Sequence, residues 1–199
     1  FYFSNFIFSH NLSTNRLKFI NKSNGYKKMG VIVLIAAAGN STRLASDTPK
    51  QYLKINNKHI LKITIEKFIN HPEISNIKVI IRKGDEKFYE QAVKGLNILK
   101  PCYGSKTRQE SILLGLKSIA NLKPEKVLIH DAARPFVSQK IISNVIKKLN
   151  KNDAVVPALK VTDTIKLVEK NEVITIPRES LVKAQTPQGL ILIKFIKHT

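Results

Sequence analysis

The chain has 199 residues, 43% of them hydrophobic, which suits one globular domain with a real core. A single cysteine, Cys102, excludes an intrachain disulfide framework and fits a reducing, cytoplasmic compartment; the five scattered histidines lack the spacing of a structural zinc site. The net charge of +20 invites an anionic partner, but lysine far outnumbers arginine and is spread along the whole chain, as on a solvated basic surface. A nucleic-acid-binding module is the distant alternative, because no aromatics interleave with the charges and no recognition motif occurs.

Residues 1–28 hold five basic residues and no acidic one. The run Phe1–Phe8 is too short to span a membrane, and no membrane association is expected. Met29 reads as a start, with residues 1–28 a basic extension outside the fold, either upstream read-through or a targeting segment. A genuine transit segment would move the location to a plastid. Lys27-Lys28 before the apolar run Val31–Ala38 also has the outline of a secretory signal, but cleavage there would remove the motif described below.

Within 29–199, Val31–Ala36 is a β-branched apolar run, as in a strand buried on both faces. Residues 37–58 are polar and loop-like. Ile60, Leu61, Ile63, Phe68 and Ile69 recur at helical spacing up to Pro72. Ile77–Ile81 predicts a second strand, Asp85–Leu96 a second helix and Ile98–Tyr103 a short strand. Thr107 and Glu110 have capping-box spacing, and the helix they open carries Ile112, Leu113, Leu116, Ile119 and Ala120 on one face. Val127–Ile129 predicts a strand, Ser138–Leu149 a helix and Ala154–Ala158 a strand. This alternation predicts an α/β fold with a mostly parallel twisted sheet and right-handed crossovers. Residues 160–185 break the pattern: Thr164–Val168 and Val173–Ile176 flank a polar turn, either a projecting β-arm or an ordinary antiparallel edge.

Three polar clusters follow predicted strands: Ala37-Ala38-Gly39, Gly104-Ser105-Lys106-Thr107-Arg108, and His130-Asp131-Ala132-Ala133-Arg134-Pro135. In an open parallel sheet, ligands bind beyond the carboxyl ends of the strands. Small residues at 37–39 let backbone N–H groups approach phosphate oxygens, and Arg43 and Lys50 add two positive charges to the same loop. The spacing is neither a Walker A loop nor G-x-G-x-x-G. Taken alone, it is equally an ordinary surface loop that contains Arg and Lys.

Ala37-Ala38-Gly39-Asn40-Ser41-Thr42-Arg43-Leu44 followed by Pro49-Lys50-Gln51-Tyr52 resembles the signature of sugar-nucleotide-type pyrophosphorylases. More narrowly, it is similar to the 2-C-methyl-D-erythritol 4-phosphate cytidylyltransferase (IspD-like) family of isoprenoid biosynthesis. Thr107-Arg108-Gln109 with Ser111, the His130–Pro135 segment, Thr162-Asp163-Thr164 and Thr186-Pro187-Gln188 continue the likeness in order over residues 31–192.

The resemblance implies a three-layer, Rossmann-like nucleotidyltransferase fold. It also implies transfer of CMP from CTP to 2-C-methyl-D-erythritol 4-phosphate, giving pyrophosphate and 4-diphosphocytidyl-2-C-methylerythritol in the non-mevalonate pathway. Another polyol phosphate, such as ribitol 5-phosphate, is the alternative acceptor. By position, Arg43, Lys50, Asp131 and Arg134 are the expected catalytic residues. Ala37, Ala38, Gly39, Ser41, Arg43, Lys50, Gly104, Ser105, Ser111 and Ala132 are expected at CTP, and Asp131, Arg134, Thr164 and Arg178 at the acceptor. Magnesium is expected to bind mainly through the triphosphate, with no certain protein ligand. Because the acceptor phosphate is largely ionised near neutral pH, it needs no general base, and His130 reads as a packing or hydrogen-bonding residue. The arm, about 160–185, is expected to reach into a second copy's site in a homodimer with arm exchange. The family carries a Thr-Asp-Asp/Glu segment and a later Asn-Ile-Lys segment that do not occur before Thr199. The domain is therefore expected to be incomplete at its C-terminus, and this piece weakly active or inactive.

Overall fold

The computed structural model describes residues 30–39, 48–169 and 172–192, together with the backbone of residues 2–4. The main sheet contains β1 (Tyr2–Ser4), β2 (Val31–Ala36), β5 (Ile74–Ile81), β6 (Leu99–Tyr103), β7 (Lys126–Asp131), β8 (Ala154–Lys160), β11 (Val182–Ala184) and β12 (Gln188–Leu190). Its order is β1-β8-β12-β7-β2-β5-β6, with β11 also pairing β8. Two small two-stranded sheets stand apart from it: β3 (Lys54–Ile55) with β4 (Lys58–His59), and β9 (Ile165–Glu169) with β10 (Glu172–Ile176). The helices are α1 (Ile60–Ile69), α2 (Glu86–Val93), α3 (Arg108–Ile119) and α4 (Gln139–Lys148).

The layering follows from the two-residue period of β2. Val31, Val33 and Ile35 pack with Leu61, Ile65 and Phe68 of α1 and with Ile142, Val145 and Ile146 of α4. Ile32 and Leu34 point the other way, onto Ile112, Leu116 and Ile119 of α3. A strand apolar on both faces thus becomes the middle of three layers, each fully buried side chain contributing roughly 1.5–3 kcal/mol over exposure. Strands β6, β5, β2 and β7 are mutually parallel neighbours, as expected of alternating strands and helices.

β12 departs from the expected strand set. It lies antiparallel between β7 and β8, so the sheet is mixed. Three residues carry no readable periodicity, and this strand is held by its two neighbours. β11 continues the same edge of β8, with Ala184 opposite Ala158, Gln185 N–H donating to Pro157 O at 2.7 Å, and Gly189 opposite Val155. The other edge of β8 is taken by β1, with Tyr2 opposite Ala158. This corrects the placing of residues 1–28 wholly outside the fold: an edge strand exposes unpaired backbone groups that a short extended segment can satisfy. The rest of that extension lies outside the described residues.

Helix boundaries also moved. α2 stops at Val93 rather than Leu96, because Gly95 takes φ +82° and turns the chain. Asn56 and Asn57, with φ of 47° and 62°, make the tight turn between β3 and β4. In β9 and β10, Val168 faces Val173 across the pair, and the two are 70% and 62% exposed. Among the described residues, no helix is long and apolar enough to cross a membrane.

Candidate active site

The three clusters converge. Each loop begins by extending the ladder one bond past its strand: Ala37 N–H donates to Ile80 O at 2.8 Å, Gly104 N–H to Ile81 O at 2.8 Å and Ala132 N–H to Ala36 O at 3.0 Å. From there, Gly104 packs directly on Ala38, where an added Cβ would fall 2.5 Å from the Ala38 Cβ and 2.7 Å from Ser111 Oγ. On the far side, the Arg108 guanidinium reaches Asp131 Oδ1, with Nη2 at 3.1 Å and Nε at 3.3 Å.

Asp131 is held from two directions, since Arg134 Nε lies 3.0 Å from its other oxygen. Arg134 Nη1 also donates to Gln185 Oε1 at 2.8 Å, which ties the 131–134 loop to the segment before β12. All three charged side chains are one-third to one-half exposed, so each pair adds only about 0–1 kcal/mol to stability. Two guanidiniums against one carboxylate leave a net positive group at the strand ends.

His130 stands beneath this group. It is buried, packs edge-on against Phe68 with ring centroids 4.9 Å apart, and has Nε2 3.0 Å from Arg134 O. A carbonyl only accepts, so Nε2 carries the proton. Burial lowers the imidazole pKa to about 4, against the opposing pull of the Arg134 carbonyl and Asp131, and the ring is neutral at pH 7. It therefore packs and hydrogen-bonds, as expected, and is no proton shuttle.

Lys50 is exposed on a 3-10 turn whose next two residues, Gln51 and Tyr52, are buried. Tyr52 stacks on Phe88 at 5.7 Å, and its carbonyl meets His59 Nδ1 at 2.6 Å. Gln51 Nε2 donates to Ala37 O at 2.7 Å, joining this turn to the loop after β2. Ser41 and Arg43 lie outside the described residues.

The two serines expected at the nucleotide are engaged within their own loop. Ser111 is buried; its hydroxyl accepts from Ser105 N–H at 2.9 Å and donates to Thr107 O at 2.8 Å. Ser105 Oγ donates to Glu110 Oε2 at 2.8 Å, which with the Thr107 N–H holds that carboxyl below its usual range. Both hydroxyls thus shape the 104–107 loop. Thr107 and Glu110 complete the capping box read from the sequence, with Glu110 N–H donating to Thr107 Oγ1 at 3.2 Å.

Among the described residues, Thr164 and Arg178 have no hydrogen bond to the three clusters. Thr164 is exposed, and Arg178 donates to Thr162 O at 3.0 Å and pairs with Glu179 at 3.5 Å. Arg108, Gln51 and Gln185 were missed as site residues. Arg108 and Gln51 lie within sequence motifs and Gln185 adjoins one, but their contacts span 23, 14 and 51 positions and become visible only in the fold.

Among the described residues, no cluster of three His, Cys, Asp or Glu side chains could hold a metal. Asp131 is the one carboxylate in the 131–134 cluster and is paired with both Arg108 and Arg134. An open cleft of about 610 Å³ elsewhere is lined by Lys54, Lys58, Lys62 and Lys94 with Asn56, Asn57, His59 and Gln91. It shares no residue with the three clusters and offers no apolar wall for a base.

The sequence model of IspD, 2-C-methyl-D-erythritol 4-phosphate cytidylyltransferase, matches residues 31–197. The chain belongs to the IspD family. The bifunctional IspD/IspF enzyme of Paramagnetospirillum magneticum is 42% identical over 159 residues, covering 79% of this chain and 41% of that protein. The chain spans about two fifths of the length of this and the similar Wolbachia pipientis enzyme. Among solved IspD structures, that from Francisella tularensis superposes with a TM-score of 0.69 at 34% identity, covering 84% of this chain and 75% of that one. The 4-diphosphocytidyl-2C-methyl-D-erythritol synthase of Anaerococcus prevotii gives 0.71 at 30% identity, covering 85% and 73%. These likenesses agree with the three-layer α/β fold and carry the IspD assignment across most of the chain.

Proposed function

We propose that this protein transfers a cytidylyl group from CTP to 2-C-methyl-D-erythritol 4-phosphate and releases pyrophosphate. The observation that carries this reading is the junction of three loops at one sheet edge: Ala38 against Gly104 on one side, and Arg108–Asp131–Arg134 on the other. That edge offers close backbone approach beside fixed positive charge, as a polyphosphate requires.

The acceptor phosphate, ionised at pH 7, attacks the α-phosphorus of CTP. A new P–O bond forms as the bond to pyrophosphate breaks, and no proton need be removed. Lys50 and Arg43 neutralise charge developing on the leaving group, while Asp131 and Arg134 orient the acceptor. Magnesium on the triphosphate would supply further charge neutralisation. Thr164 and Arg178 act on the acceptor of a second copy: the outward apolar pair Val168 and Val173 favours a homodimer contact through β9 and β10. The lone, partly buried Cys102 fits a reducing cytoplasm.

The test is pyrophosphate release by the full-length protein with CTP and methylerythritol phosphate, run beside Lys50→Ala. Turnover should fall by about 10²-fold or more in the variant, as for loss of a preorganised charge. No turnover by the parent protein, or preference for ribitol 5-phosphate, would overturn the reading.

A further inference from the structure

Gln51 is buried at 3% exposure, yet its amide is spent on a residue 14 positions earlier, Ala37. The carbonyl of Ala37 can only accept, so the group at 2.7 Å is the Gln51 amide NH₂. The N–H of Ala37 is separately occupied by Ile80 O at 2.8 Å. Both backbone groups of Ala37 are therefore fixed.

The peptide joining Ala37 to Ala38 is planar and trans, so its C=O and N–H point in opposite directions. Gln51 draws the C=O into the buried side of the loop. The N–H of Ala38 must then face the open edge of the sheet, where Ala38 is half-buried, Gly39 is exposed and Gly104 packs alongside. The same hydrogen bond clamps Ala37 to the turn that carries Lys50.

We propose that Gln51 is a positioning residue: by holding the Ala37 carbonyl it aims the Ala38 N–H, in register with Lys50, at a phosphate of the bound nucleotide. This rests on the cytidylyltransferase reading and adds a residue that would not itself touch the substrate. Rotation of that one peptide would present a carbonyl oxygen to the phosphate and repel it, so a buried donor at position 51 is required and a buried side chain of equal size without one is insufficient.

The test uses the full-length protein labelled for amide NMR, titrated with CTP and separately with cytidine. In the parent protein the Ala38 amide resonance should shift strongly with CTP and little with cytidine. Gln51→Met keeps the side-chain length and removes the donor; its CTP affinity should fall about 10-fold or more, with cytidine affinity unchanged. A silent Ala38 amide while CTP binds overturns the proposal without recourse to any variant. So does a Gln51→Met protein that binds CTP like the parent, or that loses CTP and cytidine equally. If the parent binds no CTP at all, the cytidylyltransferase reading fails first and this inference falls with it.

Discussion

Gly104 and Ala38 meet beyond the strand ends so closely that a Cβ on residue 104 would stand 2.5 Å from the Ala38 Cβ. The Ala38 methyl cannot swing aside, and Ser111 Oγ at 2.7 Å could do so only by giving up its hydrogen bonds to Ser105 N–H and Thr107 O. Gly104→Ala should therefore part the two loops. The expected cost is about 1–3 kcal/mol of stability, the usual range for overpacking, with a clear rise in KM for CTP. Denaturant unfolding and CTP titration check this; an unchanged KM would mean that the contact is incidental to the site.

Arg108 lends itself to a separation of stability from activity. Its pairing with Asp131 is half-exposed, so Arg108→Gln should change stability by no more than about 1 kcal/mol. Asp131 would then keep only Arg134, and the balance of charge at the strand ends would shift. A roughly tenfold or greater fall in turnover, equivalent to about 1.4 kcal/mol of barrier, is expected. Equal losses in stability and turnover would mark Arg108 as a structural residue.

His130 predicts a pH dependence of stability. Its pKa is about 4 in the folded protein and 6.5 in the unfolded chain. Between those values the unfolded chain binds the extra proton, so stability rises with pH across the window and is lost as pH falls from 6.5 towards 4. The contribution is on the order of 3 kcal/mol at full extent. His130→Gln retains a donor for the Arg134 carbonyl but cannot titrate. Its stability should vary less steeply over that window, even though it loses the packing against Phe68. Parallel slopes for the two proteins would refute the assignment.

Tyr52 offers the opposite kind of test. Its hydroxyl is buried and has no partner among the described residues, and burial together with the nearby Asp85 raises its pKa far above the usual phenol value. Removing an unsatisfied buried group is neutral or favourable, whereas removing a satisfied one costs about 1 kcal/mol. Tyr52→Phe should thus match or exceed the parent in thermal unfolding. A clear loss would reveal an ordered water on that hydroxyl.

What could be read in advance was local or strongly periodic. Val31–Ala36 announced a two-faced strand because its continuous apolar, β-branched run left no polar face, and Thr107 with Glu110 announced a helix start because both partners lie within one turn. The clusters at 37–39, 104–108 and 130–135 could be assigned to one edge by counting strands. What escaped was non-local. β12 is too short for a pattern, and Arg108, Gln51 and Gln185 gain meaning from partners far along the chain. Ser105 and Ser111 were expected to face a nucleotide, but the direction of their hydroxyls depended on the backbone between Ser105 and Thr107.

The position of β12 bears on how the chain comes together during synthesis. β7 and β8 have no direct pairing; Gln188–Leu190 is inserted between them. As the chain emerges from the ribosome, β2, β5, β6 and β7 can assemble as soon as residue 131 is out. β8, complete at residue 160, then waits beside an open seam until some 30 further residues have appeared, up to Leu190. The last of the described sheet strands to be made is thus an interior one, and the nascent protein exposes two unpaired strand edges for that interval.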